Sequence, residues 1–349
     1  MLPTFSFTLP DELVATAPPE RRGLARDKVR LLVTDRATGR VVHSRFDHLR
    51  EFVRAGDLLV FNASRTMPAS LKGVAEPGRL AVEARLAEHL PDGSWLALLV
   101  CYGSDPFGCP IRPGVEIAFG QDLRATVCGR DQTIPRLWNI RFSATEGEFM
   151  QLLYRLGQPI RYEYVSAAWG LDAYQTVYAT EPGSAEMPSA GRAFTWQMLF
   201  DLKRGGIETA FVVLHTGLSS YLDDDLDARN PAAEEEYDIG EAAAARINTV
   251  RERGGRVIAV GTTVVRALES ASDEAGHVRP AHEYTRLRIT PHHRLKAVDG
   301  LLTGLHEPHA SHLDLLSALI SPSMIEAAYE AAIERGYLWH EFGDLNLII

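Results

Sequence analysis

The segment Arg256–Ala271, RVIAVGTTVVRALESA, constrains the fold of this chain more than any other. Arg256–Val260 is a β-branched apolar run of strand length, and Gly261 breaks it. From Thr262 the apolar residues recur at helical spacing, with Val264, Val265 and Leu268 on one side. A strand that turns so tightly into a helix leaves several backbone N–H groups unpaired at the helix start. Those donors, the two threonine hydroxyls and the positive end of the helix dipole suit a carboxylate or a phosphate. Arg266, one turn in, adds a charge-assisted contact. The same residues admit a plainer reading, in which Thr262 or Thr263 only caps the helix.

The rest of the chain divides by character. In residues 1–66, Val29–Asp35 and Arg40–His43 read as strands around an Ala37-Thr38-Gly39 turn, and Leu58–Phe61 reads as a further apolar strand. Residues 67–150 carry short apolar alternations, such as Leu80–Leu86 and Trp95–Val100, cut by Pro77-Gly78, Pro91-Asp92-Gly93 and Pro113-Gly114. This predicts a small antiparallel β unit, barrel-like, inserted into a larger α/β domain. From Glu146 helical and strand patterns alternate. Helices are expected at Glu146–Leu156, Phe194–Arg204, Gly240–Arg253, Thr263–Ser272, Leu313–Ile320 and Met324–Arg335, with strands at Ile207–His215, Arg256–Val260 and Tyr284–Ile289. The expected division is an α/β domain of residues 1–66 plus 151–349 and a β domain of residues 67–150.

At 349 residues, 46% hydrophobic and 23% charged, the composition is that of a soluble globular protein. No apolar run is long enough to span a membrane, and MLPTFSFTLPDELV has no signal-peptide pattern. Cys101, Cys109 and Cys128 form no CxxC pair, so neither a disulfide frame nor a structural zinc site is expected, and the compartment reads as cytoplasmic. A net charge of −10 weakens a nucleic-acid reading without removing a local basic face. No G-x-G-x-x-G after a strand, no P-loop and no G-x-S-x-G elbow occurs, which disfavours Rossmann, P-loop and α/β-hydrolase enzymes. The acidic runs Asp223–Asp227 and Glu234–Glu236 read as solvated loops and helix starts.

Two further segments carry candidate chemistry. Ile207–Leu214 delivers His215 to a strand end, where α/β folds place ligands and where a histidine can move a proton near neutral pH. A locally paired strand-end histidine fits the same pattern. Gly183–Gly191, GSAEMPSAG, is rich in small residues that allow close backbone approach, or is an ordinary loop with a serine cap. His306-Glu307-Pro308-His309-Ala310-Ser311-His312 matches no standard zinc spacing, and a polar loop or substrate contact is the favoured reading.

Taken in order, these segments resemble the S-adenosylmethionine:tRNA ribosyltransferase-isomerase family of queuosine biosynthesis. The resemblance runs through RLLVTDRATG (Arg30–Gly39), GDLLVFNASRTMPASLKG (Gly56–Gly73), AYQTVYA (Ala173–Ala179), GSAEMPSAGRAFT (Gly183–Thr195), VVLHTG (Val212–Gly217), the Arg256–Ala271 segment, VDGLLTGLHEP (Val298–Pro308), LLSAL (Leu315–Leu319) and FGDLNLI (Phe342–Ile348). It implies that S-adenosylmethionine is a substrate whose ribosyl part is moved, with loss of adenine and methionine. The acceptor it implies is the aminomethyl group of a 7-deazaguanine base in a tRNA anticodon. No metal is implied. On the matched segments, His215 and Glu236 are the catalytic candidates. Asn62, Arg65, Gln175, Tyr178, Ser189, Gly191, Gly261, Thr262, Thr263, Arg266, His306 and Asp344 are the substrate-binding candidates.

Several positions depart from the family pattern. Ala63 stands for its Asp and Ser70 for its second Arg in N-D-T-R-V-x-P-A-R-L. Ala193 stands for the His of P-T-A-G-L-H-F-T. Gly217-Leu218-Ser219-Ser220-Tyr221 replaces G-x-G-T-F, and Pro231-Ala232-Ala233-Glu234-Glu235-Glu236 replaces H-x-M-H-x-E, keeping only the Glu. Thr303–Pro308 replaces T-N-F-H-L-P. Three readings follow: the family reaction on tRNA, a diverged paralogue using S-adenosylmethionine with a small acceptor or none, or a non-catalytic binding protein on the same fold.

Overall fold

Strands apolar on both faces need cover on both faces, and the centre of this molecule supplies it. The computed structural model describes residues 5–102, 109–223, 226–227, 233–308 and 310–349. Asp224, Asp225, Pro231, Ala232 and His309, which figured in the sequence readings, lie outside the described residues. Leu58–Asn62 (β3), Glu208–Leu214 (β12), Val257–Val260 (β14) and Gly300–Gly304 (β16) run parallel, in the order β12-β3-β14-β16. Every residue of β3 and β14 is buried. Leu58, Val60, Val257 and Ala259 enter one core with Ile247, Val264 and Leu268 of the helices Glu241–Glu252 and Thr262–Ala271. Leu59, Phe61, Ile258 and Val260 enter another with Phe194, Leu199 and Leu202, the last two on the helix Trp196–Arg204. The period-two alternation of a strand sorts one apolar run into both cores.

Antiparallel strands extend this sheet at the β12 side: Glu235–Ile239 (β13) and Ala281–Thr285 (β15). Beyond β16 come Leu345–Ile348 (β17), Arg30–Thr34 (β1) and Val41–Arg45 (β2), so nine strands run in the order β15-β13-β12-β3-β14-β16-β17-β1-β2. After β3 the chain makes one short strand, Ser64–Thr66 (β4), paired in parallel with Glu181–Ser184 (β11), and leaves the sheet. Ser70–Glu76 (β5), Leu80–His89 (β6), Trp95–Cys101 (β7), Glu116–Phe119 (β8), Leu123–Arg130 (β9) and Leu137–Phe142 (β10) then close a six-stranded antiparallel barrel. Phe149 and Leu153 of the helix Glu146–Leu156 join its core. Ala185, Leu218 and Tyr221 of the α/β body join that core too. The entry into the barrel and the exit after its helix meet where Ser70 and Gln158 exchange backbone hydrogen bonds of 2.9 Å each.

An α/β body carrying an inserted antiparallel barrel is the architecture the sequence predicts. The helix Glu146–Leu156 has the predicted bounds, and helices occur at the other five predicted places, with ends shifted by no more than three residues. The strand expected at Tyr284–Ile289 is instead Ala281–Thr285. It is an edge strand with His282, Glu283 and Tyr284 exposed, so its apolar signal is weak. The cysteine reading is corrected: Cys101 and Cys109 form a disulfide, with Cα atoms 5.4 Å apart, and Cys128 is free and exposed. Cys101, at the end of β7, and Cys109 stand within bridging range, a closeness that spacing alone does not reveal. Among the described residues no helix is long and apolar enough to cross a membrane.

Candidate active site

The parallel strands β3, β12 and β14 end at the same edge of the sheet, and each ends in a polar device. At the end of β3, buried Asn62 donates from Nδ2 to the Leu214 carbonyl (2.8 Å) and to Thr263 Oγ1 (3.2 Å). Its Oδ1 accepts from the Ser64 and Leu214 amides (3.0 and 3.1 Å). One side chain thus ties β3, β12 and the start of the Thr262–Ala271 helix together. At the end of β14, Gly261 has φ of 100°, a conformation that glycine adopts without the Cβ penalty. It is the N-cap, and no side chain caps this helix. The plain capping reading of Thr262 or Thr263 therefore does not hold; the Thr263 hydroxyl is turned to Asn62.

His215 directly follows β12. Its amide donates to the Glu236 carbonyl (2.9 Å), and its Nδ1 lies 2.8 Å from Ser64 Oγ. Ser64 Oγ lies 2.5 Å from Ser184 Oγ, which accepts the Thr216 amide at 2.9 Å. Gly183 lies so close to the imidazole that a Cβ there would overlap the ring. Burial lowers the His215 pKa below its ordinary value, and the charges of Glu236 and Glu181 oppose that only in part. The ring is therefore neutral near pH 7 and able to accept a proton.

A cavity of about 600 Å³ opens between the barrel and the α/β body. His215, Glu236 and Tyr221 line it from the body, and Glu88, His89 and Trp95 from the barrel. That volume suits a small-molecule site. His215 and Glu236 are thus brought to one wall. Glu236 also lies 3.2 Å from His282 Nε2.

The other sequence candidates divide into groups. Gln175 clasps the backbone of Thr66, accepting from its amide (3.2 Å) and donating to its carbonyl (2.7 Å). Arg65 lies on β4 in register with Pro182, next to the serine pair. Tyr178 is buried against Phe61, and Gly191 packs on its hydroxyl. Arg266 is an ion-pair partner of Glu235, a cavity residue, and donates to the Leu287 carbonyl at 3.0 Å. His306 bonds Thr303 Oγ1 (2.9 Å) and stacks on His312 at 4.4 Å. Burial holds both rings below the usual histidine range, His312 at about 4. Asp344 accepts the Arg30 and Leu338 amides (2.7 and 2.8 Å), fixing the chain on both sides of β1 and β17. Ser189 begins a 3-10 turn bordering a separate small depression with Arg26 and Arg192. Of the sequence candidates, only His215 and Glu236 line the large cavity.

Tyr162, Tyr164 and Trp169 pack against a small core of the α/β body with Tyr174 and Phe342. Tyr162 stacks on Tyr164, which stacks on His340 and donates to Glu341 at 2.6 Å. Trp169 lies under the Arg21 guanidinium. Among the described residues no group of three or more His, Cys, Asp or Glu is placed to hold a metal ion. Sequence reasoning missed Ser64, Ser184 and Glu88. The serines sit inside matched segments, but only the pairing of β4 with β11 puts them beside His215. Nothing in LAEHLPDG marks Glu88 as facing a cavity.

Fold and sequence together first define a class. The family described as queuosine biosynthesis protein matches residues 2–348. An S-adenosylmethionine:tRNA ribosyltransferase-isomerase of Symbiobacterium thermophilum is 40% identical, covering 100% of this chain and 99% of its own. The protein of that name from Carboxydothermus hydrogenoformans is 38% identical over the same shares. The crystal structure of S-adenosylmethionine tRNA ribosyltransferase from Thermotoga maritima matches with a TM-score of 0.54 and 29% identity, covering 99% of both chains. The chain belongs to the S-adenosylmethionine:tRNA ribosyltransferase-isomerase family, and so among the tRNA-modifying enzymes of queuosine biosynthesis.

Proposed function

We propose that this enzyme moves the ribosyl part of S-adenosylmethionine to the aminomethyl group of a 7-deazaguanine base in a tRNA anticodon. The ring becomes an epoxycyclopentane, and adenine and methionine leave. The observation that carries the reading is His215: a neutral imidazole, held by Ser64 and pressed by Gly183, on the wall of a ligand-sized cavity. In this reading His215 takes the proton from the ribose carbon beside the sulfonium. Glu236 steadies the imidazolium that forms, since its charge already favours that state. The helix start at Gly261, Thr262 and Thr263 receives the methionine carboxylate. Arg266 acts there through its pair with Glu235, while Asn62, Arg65, Gln175, Tyr178 and Gly191 hold the surrounding backbone. Ser189, His306 and Asp344 stand outside the cavity and support its frame. The same reading divides the chain into residues 1–66 plus 151–349 and residues 67–150.

The family departures fit this reading where they have structural duties. Ala63 is buried, and its carbonyl receives the Thr180 amide. Ser70 belongs to the barrel's own network with Glu83. Leu218 and Tyr221 fill the shared core. A second reading, S-adenosylmethionine chemistry with a small acceptor or none, draws on Glu234, which lines the cavity at a position where the family pattern has a histidine. Incubation with S-adenosylmethionine, with and without tRNA bearing the aminomethyl-deazaguanine base, separates the two by mass spectrometry. Adenine and methionine released only with that tRNA support the first. Release without it supports the second. Replacement of His215 by Ala lowers turnover by about 100-fold or more if it is the base, and near-normal turnover removes it from that role.

A further inference from the structure

Glu88 lies on the barrel strand β6, across the cavity from His215. Between Leu86 and Glu88 the pairing of β6 with β7 slips by one residue. Such bulges bend a strand and re-aim a side chain. The Ala87 carbonyl at this bulge lies against Gly217, two residues past His215, so the bulge presses the barrel wall onto the strand end that bears the imidazole. Glu88 is half-buried and has no hydrogen bond or ion pair among the described residues. Glu83, on the same strand, is held by Arg85 (2.9 Å), Ser70 (2.8 Å) and Tyr102 (2.7 Å). Glu234, Glu235 and Glu236 pair with Arg286, Arg266 and His282.

We propose that Glu88 receives the acceptor amine, binding its primary ammonium and removing one proton from it. The inference rests on the tRNA reading above, in which the acceptor is an aminomethyl group. An alkyl ammonium has an ordinary pKa of about 10, so the acceptor arrives protonated at pH 7 and has no lone pair to give. In the proposed step one N–H bond breaks and leaves its electron pair on nitrogen. An O–H bond forms on the Glu88 carboxylate. Ammonium and carboxylate become amine and acid, and the nitrogen can then bond to the ribosyl group. Burial, followed by the charges of Glu234, Glu235 and Asp131, pushes the Glu88 carboxyl up to about 7, with Arg286 opposing. His89, Glu146, His215, Glu236, Tyr221 and Tyr284 complete the titratable surroundings in the cavity. A base poised near the working pH transfers protons most effectively.

The test compares wild type with Glu88→Gln, using S-adenosylmethionine and tRNA that carries the aminomethyl base, with adenine release followed from about pH 6 to about 9.5. The wild-type rate should fall on acidification with an apparent value of about 7. Glu88→Gln should lose about 100-fold in kcat at pH 7, keep its S-adenosylmethionine affinity, and regain rate steadily toward high pH as the amine loses its own proton. Glu88→Asp should retain part of the rate and the acid limb. Turnover by Glu88→Gln within about threefold of wild type overturns the proposal, as does a loss that high pH leaves unrepaired. Weakened S-adenosylmethionine binding with kcat kept also overturns it, and assigns Glu88 to the methionine ammonium. Absence of turnover in the wild-type arm overturns the tRNA reading itself, and so differs from failure of this step alone.

Discussion

Gly183 shows how much of the site hangs on a missing atom. A methyl group there would overlap the His215 ring, which has Ser64 on its Nδ1 and cannot move aside without losing that bond. Gly183→Ala should therefore leave the fold intact and cut turnover by about 100-fold, the scale of a misplacement of about 1 Å at a reacting group. Adenine release beside a thermal melt checks this, and a normal rate would show that the ring is not positionally critical. The protonation of His215 gives a second expectation. Its folded pKa is lowered, so the neutral form persists to more acid pH than in a free histidine. In Glu88→Gln, inhibition by protonation of His215 should therefore set in only below about pH 6.5, not above it. A pH–rate profile of that variant reads it directly.

At the scale of elements, β3 is clamped at both ends. Asp57, fully buried before its first residue, accepts from Arg256 Nε (3.1 Å) and Nη2 (2.5 Å) and from the Arg54 amide (2.9 Å). Asn62 holds the far end through four hydrogen bonds. Asp57→Ala leaves Arg256 without its carboxylate partner and should cost about 3–5 kcal/mol in urea unfolding. Burial works to raise the Asp57 pKa, but the hydrogen bonds and charge of Arg256 and the Arg54 amide prevail and lower it. A lowered pKa means the folded state holds the proton less tightly than the unfolded chain. The stability from Asp57 is thus complete above about pH 4 and is lost as the pH falls through the lower, folded value. Acid titration of unfolding should show this loss in wild type and lack it in Asp57→Ala. Asn62→Ala strands the buried Leu214 and Ser64 amides and should cost about 2–4 kcal/mol while also loosening the helix start. The sequence made these strands legible because their apolar runs are continuous. It could not reveal the clamps, which join residues some 150 to 200 positions apart. The two serines beside His215 were hidden for the same reason. The bulge before Glu88 was hidden because its extra residue is Ala87, whose small side chain does not mark the change of phase in the alternation.

At the scale of the molecule, the cavity belongs to neither body alone. Leu218 and Tyr221 reach from the body into the barrel core, three and six residues past His215, the base of the proposed reaction. Leu218→Ala should cost about 2–5 kcal/mol and lower turnover more than binding, because it frees the wall that carries Glu88 to shift against His215. Chemical denaturation and steady-state kinetics on the one variant check both halves. The fold class was readable because the change from short alternations to helical periods falls near the barrel's ends. The seam was not, since apolar residues of one body that pack into another look like ordinary core. The barrel also enters and leaves the sheet through one paired point, where Ser70 and Gln158 exchange hydrogen bonds. Such an insertion is a cassette on a single stalk: its rim and loops can be lengthened, shortened or exchanged without altering the order of strands beneath. In the proposed reading, divergence in what the enzyme accepts can then be written in the cassette, while the groups assigned to the sulfonium donor stay on the sheet.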